Sequence, residues 1–270
     1  MRAVLLIPLL TLAVAANAHP VTAQGVTDRD DWCDRDRGGD RERGWFCEVR
    51  EVMLPATGDV VTVDGAPNGG IRVEGWDRNE VLLRARVSAR AATDEDAREL
   101  VSLVEVLTGR SPIHASGPRT GRREWWSVSY ELLVPRRSNL NLSTRNGGIR
   151  ITEVTGQITF HSTNGGVALN HLGGNVRGSA TNGGLDIDLG GDAWEGEGMD
   201  VQTANGGVEI SVPQDYSARL ETGTVNGGMR IDFPIMLQGR FNRRITTDLG
   251  RGGKTIRAVT TNGGVVVRRG

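Results

Sequence analysis

The sequence predicts an all-β fold, specifically a β-solenoid of rungs about 18–23 residues long with one short helix near the N-terminal end. Three observations lead there. Asn-Gly-Gly occurs at Asn146, Asn164 and Asn182, 18 residues apart each time, and again at Asn205, Asn226 and Asn262, with an outlying copy at Asn68. Every copy is followed by two apolar residues flanking a variable one: Ile71 and Val73, Ile149 and Ile151, Val167 and Leu169, Leu185 and Ile187, Val208 and Ile210, Met229 and Ile231, Val265 and Val267. A second apolar pair, Val154 and Ile158, recurs 18 residues on as Leu172 and Val176, with glycines beside both. A fixed period joining a turn signal to period-2 apolar strands marks a repeat architecture.

Each part of the unit has a physical role. Asn-Gly tolerates positive φ, so it turns the chain tightly, and the second glycine lets one backbone pass close to the next. Alternation then sends Ile149, Val167, Leu185, Val208, Met229 and Val265 to one side and Arg150, Ala168, Asp186, Glu209, Arg230 and Val266 to the other. In-register stacking would line the asparagines into a ladder along one corner, each amide bonding the next. The alternative is an antiparallel β-meander or sandwich in which Asn-Gly caps two-residue hairpins. Hairpins do not require equivalent turns at a constant distance, which favours the solenoid.

At the N-terminus, Ala3 to Ala16 is an apolar run ending in Ala16-Asn17-Ala18, a small-any-small cleavage pattern. Residues 1–18 read as a secretory signal. No later apolar stretch is long enough to span a membrane, so the mature chain is expected to be exported with no membrane-spanning segment, in the periplasm, at the cell surface or outside a bacterium. Residues 19–48 form a polar segment holding the two cysteines, Cys33 and Cys47. An oxidising compartment makes them a disulfide, closing a loop that stabilises by about 3 kcal/mol. A zinc site would need two further ligands that the spacing does not offer.

Residues 49–270 form the remaining domain. Strands run from Val49 to Arg90. Thr93 before Asp94, Glu95 and Asp96, followed by Ala97, Leu100, Val101 and Val104 at helical spacing, predicts a helix over about 93–103 that shields one end of the stack. Trp125, Trp126, Val128, Tyr130, Leu132 and Val134 make a long alternating strand closed by Pro135. Trp125 and Trp126 point to opposite faces, and an exposed one could stack on a carbohydrate. Trp194 lies in a longer interval between repeats, where a loop bulging from the stack would carry ligand contacts. The last interval, from Asn226 to Asn262, spans 36 residues, so its missing corner is assigned to Leu249-Gly-Arg-Gly-Gly253.

Taken together, Cys47-Glu-Val-Arg-Glu51, Asn68-Gly-Gly-Ile-Arg-Val73, Trp125-Trp126-Ser-Val-Ser-Tyr130 and the Thr/Ala-Asn-Gly-Gly units resemble the bacterial putative adhesin family. This is a domain of unknown function with Asn-Gly repeats, and the likeness covers roughly residues 47–270. The resemblance implies an exported or envelope-associated β-solenoid and supplies no catalytic residues.

The chemistry legible in the residues is sparse. A net charge of −1 with 37% hydrophobic residues excludes non-specific binding of nucleic acid. There is no Gly-x-Ser-x-Gly and no His-Glu-x-x-His. His114, His161 and His171 are isolated, and Gly252-Gly-Lys-Thr255 lacks the first glycine of a phosphate loop. Asp186, Asp188, Asp200 and Glu209 are the carboxylates to weigh for polysaccharide cleavage, which would need a pair within about 5–10 Å. Ion pairing with Arg150 and Arg230 explains them without catalysis. Asp186, Asp188 and Asp192 do not match the spacing of a calcium-binding β-roll. The sequence therefore points to a non-enzymatic binding or structural module of the envelope without cofactor, its partner a glycan or a surface protein. The alternatives are a polysaccharide-active enzyme or an envelope-stress signalling partner.

Overall fold

The computed structural model describes residues 32–33, 43–65, 67–109, 112–234 and 243–270. The signal assigned to 1–18 lies outside them. Among the described residues the chain is all-β with a single helix, as expected, and its strands form two ten-stranded sheets around one apolar core.

In chain order, β1 (Gly44–Pro55) precedes the first repeat unit, β2 (Val61–Asp64) and β3 (Ile71–Trp76), joined at the Asn68 corner. An excursion follows: β4 (Glu80–Ala91), helix α1 (Asp94–Ser102), β5 (Glu105–Leu107), β6 (Ile113–Ser116) and β7 (Trp125–Pro135). Then come pairs of strands joined by Asn-Gly-Gly: β8 (Leu140–Asn146) with β9 (Ile149–Thr152), β10 (Thr155–Asn164) with β11 (Val167–Asn170), β12 (Gly173–Asn182) with β13 (Leu185–Asp188), and β14 (Gly196–Asn205) with β15 (Val208–Val212). The chain closes with β16 (Ala218–Asn226) and β17 (Met229–Ile231), β18 (Arg244–Leu249), and β19 (Thr255–Asn262) with β20 (Val265–Arg269). The first strand of each pair enters one sheet and the second enters the other.

The repeats pair in parallel and in register, Ile149 with Val167, Val167 with Leu185, Leu185 with Val208 and Val208 with Val265. Antiparallel pairing is confined to β1–β4, β4–β7, β5–β6 and β16–β18. Asn-Gly-Gly therefore joins strands of two different sheets and closes no hairpin. All seven asparagines form one column. Asn146 Nδ2 donates to Asn68 Oδ1 (2.9 Å), Asn164 to Asn146 (2.8 Å), Asn182 to Asn164 (2.8 Å), Asn205 to Asn182 (2.9 Å), Asn262 to Asn205 (2.8 Å) and Asn226 to Asn262 (2.9 Å).

That order differs from the sequence order at its end. β19 and β20 insert between the β14–β15 unit and the β16–β17 unit, so the last repeat in sequence is the second to last in space. The 36-residue interval is accordingly not two rungs with one corner obscured. Leu249–Gly253 is a turn between β18 and β19, two strands of one sheet, and the assignment of a missing corner there is corrected. β18 runs antiparallel along β16 as an outer strand, which is why the extra length exists.

The glycines are needed for a reason other than the one their dipeptide suggests. Gly147, Gly165 and Gly183 do not adopt left-handed φ. A Cβ on any of them would sit 2.2 Å from the carbonyl oxygen of the first glycine in the adjacent corner: Gly69 for Gly147, Gly147 for Gly165, and Gly165 for Gly183. It is the first glycine, not the second, that permits the close approach. The second is looser: a Cβ on Gly166 would lie 3.6 Å from the nearest atom.

Inside the same corner runs a row of hydroxyls two residues before each asparagine. Thr144, Thr203, Thr260 and Thr224 donate to the carbonyls of Gly69 (2.7 Å), Gly183 (2.6 Å), Gly206 (2.7 Å) and Gly263 (2.8 Å). Ala180 breaks the row, and Ser162, which bonds Gly147 O, also reaches Gly165 O at 3.0 Å. Carbonyls turned inward at a sheet-to-sheet corner cannot reach water, and the hydroxyls satisfy them. Deeper in, a glycine matches a ring: Gly178 lies beside Phe160 in register, and a Cβ there would meet the ring at 2.5 Å.

Helix α1 begins as predicted. Thr93 Oγ1 accepts from Asp96 N (3.1 Å) and Asp96 Oδ2 accepts from Thr93 N (3.1 Å), a reciprocal cap. Ala97, Leu100 and Val101 are buried against β1 and β4. With no basic residue in its last turn, the helix borrows one: Arg50 of β1 donates to the carbonyls of Val101 (2.9 Å) and Val104.

Gly165→Ala should lower unfolding free energy by about 2 kcal/mol or more, the cost of forcing stacked backbones apart, whereas Gly166→Ala should stay within about 1 kcal/mol of wild type. Urea denaturation compares the pair directly. Equal losses would show that stacking does not set the glycine requirement.

Candidate functional site

The outward face of the first sheet, the one containing β9, β11, β13 and β15, carries a groove of about 1280 Å³. Its floor is laid by the second glycine of successive corners: Gly70, Gly148, Gly166, Gly184, Gly207 and Gly264. Because those positions have no side chains, the floor is bare backbone crossing six strands, a length of about 24 Å at the usual strand spacing. The floor's carbonyls already accept within the stack, for example Gly148 O from Ile71 N (2.9 Å) and Gly166 O from Ile149 N (3.1 Å). A ligand here therefore meets a surface with its backbone largely satisfied, and discrimination falls to side chains.

Those side chains stand in one register row, Glu51, Arg84, Glu131, Arg72, Arg150, Ala168, Asp186, Glu209, Val266 and Arg230, of which Arg72, Arg150, Ala168, Asp186, Glu209 and Val266 each lie two residues beyond a floor glycine. At the β1 end the charges neutralise one another. Arg84 Nε lies 3.0 Å from Glu51 and its Nη1 3.6 Å from Glu131, and Arg72 is 3.8 Å from Glu131. Further along, Glu209 pairs with Arg268 (2.6 Å), and Arg230 pairs with Asp232 (3.0 Å). Between these pairs, Arg150 and Asp186 make no ion pair or hydrogen bond among the described residues. The small side chain of Ala168 separates them. The expectation that Arg150 and Arg230 neutralise the acids of neighbouring rungs is thus corrected for both.

Trp32 closes the β1 end. Its ring lies 5.5 Å from the Arg86 guanidinium, and its carbonyl accepts from Arg86 Nη1 at 3.0 Å. It is held there by its neighbour, since Cys33 and Cys47 form a disulfide with a Cα separation of 5.8 Å. The cysteine pairing was legible in the sequence; the placement of Trp32 at a groove end was not.

The tryptophans singled out by sequence fall elsewhere. Trp194 is only 6% exposed, and its Nε1 donates to Gly174 O at 3.0 Å, so it packs over the glycine-rich start of β12. Its role as a loop-borne ligand contact is corrected: the longer interval buries its aromatic residue. Trp126 is partly buried, donating to Pro118 O (2.9 Å), while Trp125 is 39% exposed and lies outside the groove lining.

The acids considered for catalysis are divided between sheets. Asp186, Asp188 and Glu209 belong to one sheet, whereas Asp200 is on β14 of the other, ion-paired with Arg257. Asp188 faces His171 (3.4 Å), and His161 Nδ1 meets Ser179 Oγ (2.9 Å). Among the described residues no three His, Cys, Asp or Glu side chains are grouped to hold a metal ion, so Asp186, Asp188 and Asp192 are not brought together as ligands. No helix among the described residues is long and apolar enough to cross a membrane.

The architecture defines a class, an all-β repeat protein whose stacked corners present a glycine-floored face. Residues 114–268 match the Toastrack DUF4097 family, and the chain belongs to it. Among solved structures it is similar to a putative cell adhesion protein from Clostridium sporogenes (10% identity, TM-score 0.46), over 83% of this chain and 100% of that one. It is also similar to a putative adhesin from Bacteroides fragilis (12%, TM-score 0.37), over 83% and 97%, and to a putative lipid binding protein from Parabacteroides distasonis (9%, TM-score 0.32), over 82% and 96%. No curated protein matches the sequence.

The two tyrosines, Tyr130 and Tyr216, are both buried in the core. Burial, with a smaller contribution from Glu195, pushes the Tyr216 phenol from 10.0 up to about 12. Burial and the Asp64 charge push Tyr130 higher still. A folded-state value above the unfolded one gives stability that is complete below pH 10.0 and is lost as pH climbs towards about 12. An alkaline titration should show no phenolate until unfolding begins, with stability falling between those limits. Phenolate formed near pH 10.0 in the folded protein would contradict the burial of both rings.

Proposed function

We propose that the chain is an exported β-solenoid acting as a non-enzymatic binding or structural module of the bacterial envelope, with the glycine-floored groove as its contact surface. The carrying observation is the groove itself. A bare backbone floor crossed by one row of charges suits an extended ligand lying across the strands. Export rests on the N-terminal apolar run and accords with the disulfide, which needs an oxidising compartment. Asp186 and Glu209 are neighbours in register, but Glu209 is ion-paired with Arg268, and Asp200 is ion-paired with Arg257 on the other sheet, which weighs against the carboxylate enzyme.

Filling the groove tests this reading. The purified chain should co-sediment with isolated bacterial envelope material, and Ala168→Trp, placing a large ring on the floor's margin, should reduce the bound fraction about tenfold while leaving the melting temperature unchanged. Unaltered binding by that variant would remove the groove as the contact surface. Failure of the wild-type chain to co-sediment would remove the binding role.

A further inference from the structure

We infer that the groove selects a dipolar ligand: an extended peptide that carries an acidic and a basic side chain three residues apart. This rests on the groove being the contact surface. The argument starts from which charges remain unspent. Glu51, Arg84, Glu131 and Arg72 form a continuous chain of ion pairs, and Glu209 is taken by Arg268. Arg150 and Asp186 are left with no partner among the described residues, on strands that flank β11. Two strand spacings put their backbones about 10 Å apart. The residue between them, Ala168, leaves space for a ligand to lie across the strands.

That arrangement places one cationic and one anionic contact on a single line along the groove. A purely anionic polymer would gain Arg150 but meet Asp186 and Glu209 with like charge, and a purely cationic one would face Arg150 and Arg72. A ligand bearing both signs is attracted at each point. The geometry further selects its backbone. The groove lies on a sheet face and offers no strand edge, so strand addition is not available to a bound peptide. A polyproline-II segment needs no backbone partners and has three residues per turn with about 3.1 Å rise, so side chains at positions i and i+3 project on the same side about 9 Å apart. This spacing matches the distance from Arg150 to Asp186. In a β-strand, by contrast, residues three apart point to opposite faces.

A panel of short proline-rich peptides tests the inference on the full chain. One peptide carries Glu and Lys three residues apart, one carries two Glu, one two Lys, one two Gln, and one Glu and Lys adjacent. Binding measured by fluorescence anisotropy should be about tenfold tighter for the spaced dipolar peptide than for any other. Arg150→Glu and Asp186→Arg should each abolish that preference, since each leaves the line with one sign of charge. The double reversal should not restore it, because each reversed charge would then stand beside a register neighbour of opposite sign, Arg72 or Glu209, and be neutralised within the row. Equal affinity across the panel, no binding of the spaced peptide, or a preference untouched by the single reversals would each overturn the inference. If the peptides fail while envelope co-sedimentation and its loss in Ala168→Trp persist, the ligand class is wrong and the contact surface stands. If co-sedimentation fails as well, both fall.

Discussion

The structure depends on how closely one Asn-Gly-Gly corner can sit on the next. Parallel in-register strands put identical residues over one another, and at a corner the backbone turns inward, so a carbonyl of one unit is driven against the Cα of its neighbour. Only glycine permits this: at Gly147, Gly165, Gly183, Gly206 and Gly263 an added Cβ would lie 2.1–2.3 Å from the adjacent carbonyl oxygen. Once the backbones are that close, the flanking asparagines are set at the spacing where each amide both donates and accepts, and the hydroxyls two residues earlier reach the carbonyls that the turn hides. Ladder, hydroxyl row and glycine contact are three consequences of one stacking distance.

The same constraint shapes the candidate site. The second glycine of each corner leaves no side chain at the start of the following strand, and repeating it six times produces a bare floor. The first charged residue then falls two positions further on, which in a strand is the next outward-facing place. Here stacking identical positions also decides electrostatics. Because the row runs E-R-E-R-R-A-D-E across neighbouring strands, most charges find a partner one strand away. The sign repeats at Arg72 and Arg150, and again at Asp186 and Glu209, and local pairing fails for Arg150 and Asp186.

Much of this was legible in the sequence. The spacing from Asn146 to Asn182 fixed the repeat, the alternation after each corner named the buried residues, and Thr93 with Asp96 announced the helix start. What was not legible has identifiable physical causes. Spatial order at the C-terminal end depends on where β19 can pair, and nothing local distinguishes insertion between β14 and β16 from addition at the end. Trp194 was misplaced because a long interval suggests a projecting loop, whereas the glycines opening β12 leave a surface that a large ring covers. The hydroxyl row had a visible signal, with Thr144, Ser162, Thr203, Thr224 and Thr260 at the same offset from their asparagines. Its meaning required knowing that the corner carbonyls point inward. Trp32 could be read only from the fold, since its place at the groove end follows from the disulfide and from Arg86.

The central claim is the stacking order of the corners, with Asn262 between Asn205 and Asn226. Paired cysteines read it directly, because a disulfide closes only across Cα separations of about 4.4–6.8 Å, one strand spacing and not two. Ala204, Thr261 and Val225 each precede one of these asparagines, and register places Thr261 beside both of the others. In otherwise native protein, Ala204→Cys with Thr261→Cys and Thr261→Cys with Val225→Cys should each cross-link on mild oxidation, while Ala204→Cys with Val225→Cys should not. Cross-linking of the last pair in place of the first two would mean that the corners stack in sequence order, and would contradict the account.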